Sequence, residues 1–151
     1  MTKRLLVALT LLAALCCLPS ASVGQTGMRF AAPKSGVWRI TGKDVEGLKW
    51  LGTMRLAARA RHGVRATYSG YIDWRSSDRR NSGREFFNAS FYSGNGGITI
   101  VGYRVARAKG DIAAGRYSGH LSGRGRSIVR GTWGGRDVIA GKWSAKWSRS
   151  R

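Results

Sequence analysis

Alternation at period two, repeated in five segments with the same large–small–large pattern, most restricts the fold of this 151-residue chain. The triplets are Tyr68-Gly70-Ile72, Phe87-Ala89-Phe91, Tyr117-Gly119-Leu121, Val129-Gly131-Trp133 and Trp143-Ala145-Trp147. Alternate residues of a strand share one face, so each triplet marks a candidate inward row. Arg65, Thr67, Ser69, Asp73, Arg116, Ser118, Arg130, Lys142 and Lys146 take the intervening positions, as a wetted face requires. Helical spacing is absent, apart from room for one turn within Asp44 to Leu51.

Eight strands are expected, at about 36–42, 49–58, 64–74, 85–92, 98–107, 112–122, 127–133 and 138–148. Most connections are of hairpin length, which favours antiparallel neighbours. The predicted fold class is therefore all-β: an eight-stranded antiparallel up-and-down barrel, soluble, with a short N-terminal arm. Small residues in the middle of the inward rows let a narrow barrel coil and close, or leave a cavity lined by aromatic rings. An internal repeat supports strand-pair duplication, since Ala114–Ser122 matches Ala140–Ser148 with one strand between. An outer-membrane barrel fits less well. Its interior would have to bury Arg130, Lys142 and Lys146 with too few acids to pair them, and the chain ends Ser148-Arg149-Ser150-Arg151 without an aromatic residue.

Residues 1–24 read as a cleaved signal peptide. Lys3 and Arg4 precede the apolar run Leu5 to Leu18, and Pro19 to Ser22 supply the break and small residues for cleavage. Residues 25–35 lack periodicity and are read as a flexible arm, 36–148 as the single barrel domain, and 149–151 as a basic tail. The only cysteines, Cys16 and Cys17, lie in the leader. The remainder has no disulfide, no thiolate nucleophile and no Cys-based metal site. The expected localisation is secreted or periplasmic.

Charge carries the functional expectation. The chain holds 27 Lys+Arg against 7 Asp+Glu, a formal net charge of +20. Such an excess costs self-repulsion and points to an anionic partner. In an up-and-down barrel successive loops alternate between two ends. All seven acids (Asp44, Glu46, Asp73, Asp78, Glu85, Asp111 and Asp137) fall on one of them. The other end receives Lys34, Arg59, Arg61, Arg65, Arg124, Arg126, Lys146, Arg149 and Arg151. Guanidinium grips phosphate, sulfate or carboxylate in bidentate fashion, so Arg59, Arg61, Arg124, Arg126, Arg149 and Arg151 are the candidate anion-binding residues.

No catalytic signature emerges, and neither an enzyme nor a cofactor is expected. His62 and His120 are too far apart for a ligand pair, and His120 with Ser118 and Ser122 matches an ordinary polar strand face. Asp73 and Glu85 invite comparison with glycosidase carboxylates, but Arg75 and Arg84 beside them favour an ion-pair cluster. The stretch Ser93 to Gly97 lacks a following Lys-Ser/Thr and reads as a turn. Tyr71, Phe86, Tyr92 and Tyr103 are exposed aromatic candidates for stacking on single strands, although export argues against a chromosomal role and no specific DNA site is expected.

Gly36-Val37-Trp38-Arg39 opens the first strand, and seven strands follow. In this the chain resembles the calycins, the lipocalin- and avidin-like barrels whose first strand carries Gly-x-Trp. The resemblance implies a barrel holding a small apolar ligand, with Tyr68, Tyr117, Trp143 and Trp147 as candidate lining, or a partner bound at the rim. Ile40, Thr41 and Gly42 stand where avidins carry Asn and Ser, which speaks against biotin. Bacterial periplasmic metalloprotease inhibitors look similar too, and that likeness implies a protein partner entered by the arm at 25–35. The leading expectation is a non-enzymatic binding protein whose Arg-rich end takes an anionic polymer or envelope surface. The small-ligand carrier and the arm-mediated inhibitor or adaptor are its alternatives.

Overall fold

The computed structural model describes residues 29–148. The signal-peptide assignment and the tail residues Arg149 and Arg151 lie outside them. Eight strands follow in chain order: β1 (Gly36–Asp44), β2 (Lys49–His62), β3 (Arg65–Ser76), β4 (Ser82–Tyr92), β5 (Gly97–Lys109), β6 (Arg116–Ser122), β7 (Ser127–Gly135) and β8 (Val138–Ser148). Each pairs antiparallel with its chain neighbours, and β8 closes on β1, with Trp38 opposite Trp147. Closure leaves no unpaired edge. The all-β, eight-stranded antiparallel up-and-down barrel expected from the alternation is the one formed.

The inward rows make the core. Trp38, Met54, Phe87, Ile100 and Ile128 are completely buried, and Tyr68, Ile72, Phe91, Leu121 and Trp143 nearly so. Lys142 and Lys146 face outward, where a lipid-facing wall would need apolar side chains. The repeat is visible in space: Tyr117 of β6 and Trp143 of β8 occupy matching inward positions, and their rings meet edge to face at 6.0 Å.

β2 runs on to His62 rather than ending near 58, which puts Arg59 and Arg61 on the strand, and two further details depart from the expected pattern. Val129 is not an inward residue; it is 36 % exposed, and Ile128 takes its place in the core. The cause is a bulge. The β7–β8 register shifts between Ile128 and Gly131, and Arg130 adopts φ 52°, so two consecutive residues face outward. Left-handed backbone disfavours a side chain, so Arg130→Gly is expected to raise stability by about 1 kcal/mol, measured by urea unfolding. The second departure is at residues 112–115, which are not part of β6. They form its approach, where the Gly102 amide donates to the Gly115 carbonyl at 2.8 Å and Ile112 packs on the core.

Residues 29–35, the described part of the expected flexible arm, lie against the barrel. The Phe30 amide donates to the Ser93 carbonyl (2.9 Å) and the Lys34 amide to the Gly125 carbonyl (3.2 Å). Trp38 Nε1 donates to the Lys34 carbonyl at 2.9 Å, and Trp147 Nε1 to the Ser35 carbonyl at 3.1 Å. Pro33 is buried and Ala32 packs on the core. The segment is held by bonds to the β4–β5 and β6–β7 loops and to strands β1 and β8, and it caps the end of the barrel where β1 begins.

Candidate functional sites at the two ends of the barrel

The connections after β2, β4 and β6 share the capped end, and those after β1, β3, β5 and β7 share the other. Every carboxylate of the chain belongs to the second set or to the strand segments adjoining it. At the capped end, Arg59 and Arg61 stand exposed on the last residues of β2, and Arg124 and Arg126 on the β6–β7 connection. Topology brings the two pairs to one end but on different sides of its rim. Arg59 Nε donates to Ser69 Oγ at 2.6 Å, which fixes one guanidinium against β3. Burial pushes the Tyr68 hydroxyl above its ordinary pKa, and the positive charge of Arg61 opposes that rise. Trp147 is flanked by the Lys34 ammonium and the Arg126 guanidinium, at 5.1 and 5.6 Å from its ring centre.

The four aromatic residues expected to line one cavity do not do so. Tyr68 and Trp143 are packed in the core, and Trp147 is a part of the capped end. Only Tyr117 borders a cavity. The physical reason is filling: the aromatic rings of the inward rows occupy the middle of the barrel themselves.

The cavity that Tyr117 borders is a mouth at the end opposite the cap, with a volume of about 340 Å3. Trp50, Trp74, Tyr117 and Trp133 form its aromatic wall, with Asp44, Asp111 and Asp137 among the other lining residues. Trp74 is the hub. It meets Trp50 edge to face at 6.5 Å, Trp133 at 6.2 Å and Tyr117 in a stack at 5.9 Å. Asp44 holds the turn after β1, accepting the Leu48 amide at 2.8 Å and Trp50 Nε1 at 3.0 Å. Trp133 Nε1 donates to the Ile139 carbonyl at 2.7 Å.

Beneath this wall lies Glu85, fully buried. Its carboxylate accepts from Trp74 Nε1 (2.9 Å), from the Gly115 amide (2.7 Å) and from the Tyr117 hydroxyl. Burial raises the Glu85 pKa, and the three hydrogen bonds offset this only in part. Burial and the neighbouring Glu85 charge lift the Tyr117 hydroxyl well above its usual range. Asp73 is on the other side of the wall, in a bidentate pair with Arg84 at 2.7 and 2.8 Å. The two carboxylates that invited a glycosidase reading therefore face opposite ways, because adjacent cross-strand pairs alternate in and out. The expected cluster reduces to one surface ion pair, with Glu85 outside it.

Other expected groups are found singly. His62 and His120 are both exposed, at the end of β2 and on β6. Among the described residues no three His, Cys, Asp or Glu side chains are grouped to hold a metal ion. Tyr92 and Tyr103 are exposed, whereas Tyr71 and Phe86 carry the guanidinium groups of Arg84 and Arg104 on their rings, at 4.0 and 4.3 Å. Trp50, Trp74 and Trp133 are the wall residues that sequence reasoning did not assign to a cavity, and it placed Glu85 in a surface ion-pair cluster rather than beneath the wall. The signal was present, since Trp74 continues the row Gly70-Ile72 and Glu85 precedes the row Phe87-Ala89-Phe91.

No family model matches the chain, and searches of curated proteins and of solved structures find no significant match. The class defined by the fold is the closed eight-stranded antiparallel barrel, an architecture consistent with the calycins.

Proposed function

We propose that this is a non-enzymatic binding barrel, exported by its apolar leader, whose capped end docks on an anionic polymer or envelope surface. The observation that carries this reading is the sorting of charge. Among the described residues no Asp or Glu lies at the end where Arg59, Arg61, Arg124 and Arg126 are exposed, although cations occur at both ends. A positive field without local neutralisation steers polyanions and favours bidentate contacts from guanidinium. The arm reading is weaker, since residues 29–35 spend their hydrogen bonds on the chain's own barrel. A calycin-like identity draws support from Trp38, whose Gly-x-Trp position places it in the core beside the capping segment.

Heparin and polyphosphate titrations across salt test the proposal. Counterion release from four guanidinium contacts gives an affinity loss of about 100-fold between about 50 and 200 mM salt. Substituting Arg59, Arg61, Arg124 and Arg126 together by serine is expected to remove most of that dependence. The same number of serines at Arg75, Arg79, Arg80 and Arg136, on the carboxylate end, is expected to change it far less. Equal losses from both quadruple variants would show diffuse charge rather than a docking end. Affinity indifferent to salt would also refute the reading.

A further inference from the structure

We propose that the mouth opposite the cap binds a small organic ammonium ion carrying an aromatic or apolar body. This goes beyond polyanion docking and does not depend on it. The first argument is composition against expectation. Among the described residues no Lys or Arg lines the cavity, whereas Asp44, Asp111 and Asp137, three of the chain's 7 Asp and Glu residues, do. A wall of that kind sets carboxylates rather than cations directly against a bound molecule, and low-dielectric walls focus their field.

The second argument is that these charges are not spent elsewhere. Among the described residues the ion pairs involve only Asp73 and Asp78, both outside the cavity. Asp111 and Asp137 are exposed, and Asp44 retains acceptor capacity beyond its two hydrogen bonds.

The third argument is the aromatic wall. Trp50, Trp74 and Trp133 meet at differing angles, so ring faces and edges are presented together. Indole is the side chain whose π-face attracts cations most strongly, and a desolvated site strengthens the effect. Glu85 and Asp44 hold two of the indoles by their Nε1 groups, which fixes the wall before a ligand arrives. The volume, about 340 Å3, suits a compact molecule at the small end of ligand cavities. Anions meet three carboxylates there and are excluded.

Calorimetry with benzyltrimethylammonium, benzyl alcohol and benzoate, followed in parallel by tryptophan emission, tests the assignment. The ammonium is expected to bind about tenfold more tightly than the alcohol, with benzoate giving no saturable signal. Asp111→Asn combined with Asp137→Asn alters two exposed loop residues and is expected to abolish most of that preference while leaving alcohol binding unchanged. Heparin affinity, which reports the opposite end, is expected not to fall in this variant, so failure of one site is distinguishable from failure of the other. Equal affinity for all three probes, preference for benzoate, absence of ammonium binding, or a preference surviving the double substitution each overturns the inference.

Discussion

Replacing Glu85 by leucine is expected to cost the barrel about 3 kcal/mol of stability, read from the midpoint of urea unfolding. Three donors converge on this carboxylate, and all three lose their acceptor together. Each donor left buried without a partner costs about 1–3 kcal/mol, whereas relief from burying the carboxylate offsets only part of that sum. The loss also frees Trp74 and Tyr117, so tryptophan emission of the folded variant is expected to shift. Glu85→Gln is expected to recover part of the stability. Its carbonyl oxygen still accepts from Trp74 and Tyr117, but its amide group then opposes the Gly115 N–H. A leucine variant within about 1 kcal/mol of the parent would show that the network adds nothing net.

The same residue predicts the sign of a pH dependence. Burial raises the Glu85 pKa in the folded state, so between the ordinary glutamate range and that raised value the folded chain binds more protons than the unfolded one. Stability from this group is complete below the unfolded pKa and is lost as pH rises through the folded pKa. The advantage of the parent over Glu85→Gln is therefore expected to shrink from mildly acidic towards neutral pH. Taking the difference cancels Asp78, whose pKa is lowered by the Ser76 hydrogen bond and whose slope runs the other way. A difference that stays constant, or grows with pH, contradicts this account.

Gly70→Ala is expected to be as damaging, at about 3 kcal/mol or roughly 10 °C in melting temperature. A Cβ at this position would fall 1.8 Å from the Arg55 carbonyl oxygen and 3.0 Å from the Phe87 ring. The first obstacle is backbone of the paired strand β2, which cannot rotate away, so the β2–β3 pairing must open. Gly134→Ala is the control, because a Cβ there meets nothing within 4 Å. It is expected to be neutral or slightly stabilising, since alanine gives up less chain entropy than glycine in a strand. Comparable melts for the two variants would refute the close-approach argument.

How much of this could be read beforehand varies with the residue. Gly70 was legible as a small member of an inward row, yet nothing in its neighbours says that the Arg55 carbonyl comes so close. Glu85 keeps the phase of Phe87, Ala89 and Phe91, so its inward orientation follows from counting by twos. Its partners do not follow, because Gly115 and Tyr117 lie 30 and 32 residues away along the chain. Val129 shows the limit of counting. A single bulge at Arg130 changes the phase within β7, and positive φ at an arginine has no marker in composition. The misassigned cavity residues share one cause: aromatic side chains were identified correctly as inward, but which of them border a void depends on what fills the space between.

By itself the sequence determined the all-β class, the number and order of strands, and the end to which each carboxylate belongs. These are consequences of local alternation and of chain order, which survive any detail of packing. Only the tertiary structure decided that residues 29–35 close one end, that side chains of the inward rows pack the middle of the barrel, and that the other end opens into an aromatic mouth bordered by aspartates. Those outcomes arise where side chains from distant strands compete for one volume, and such competition is not encoded at any single position.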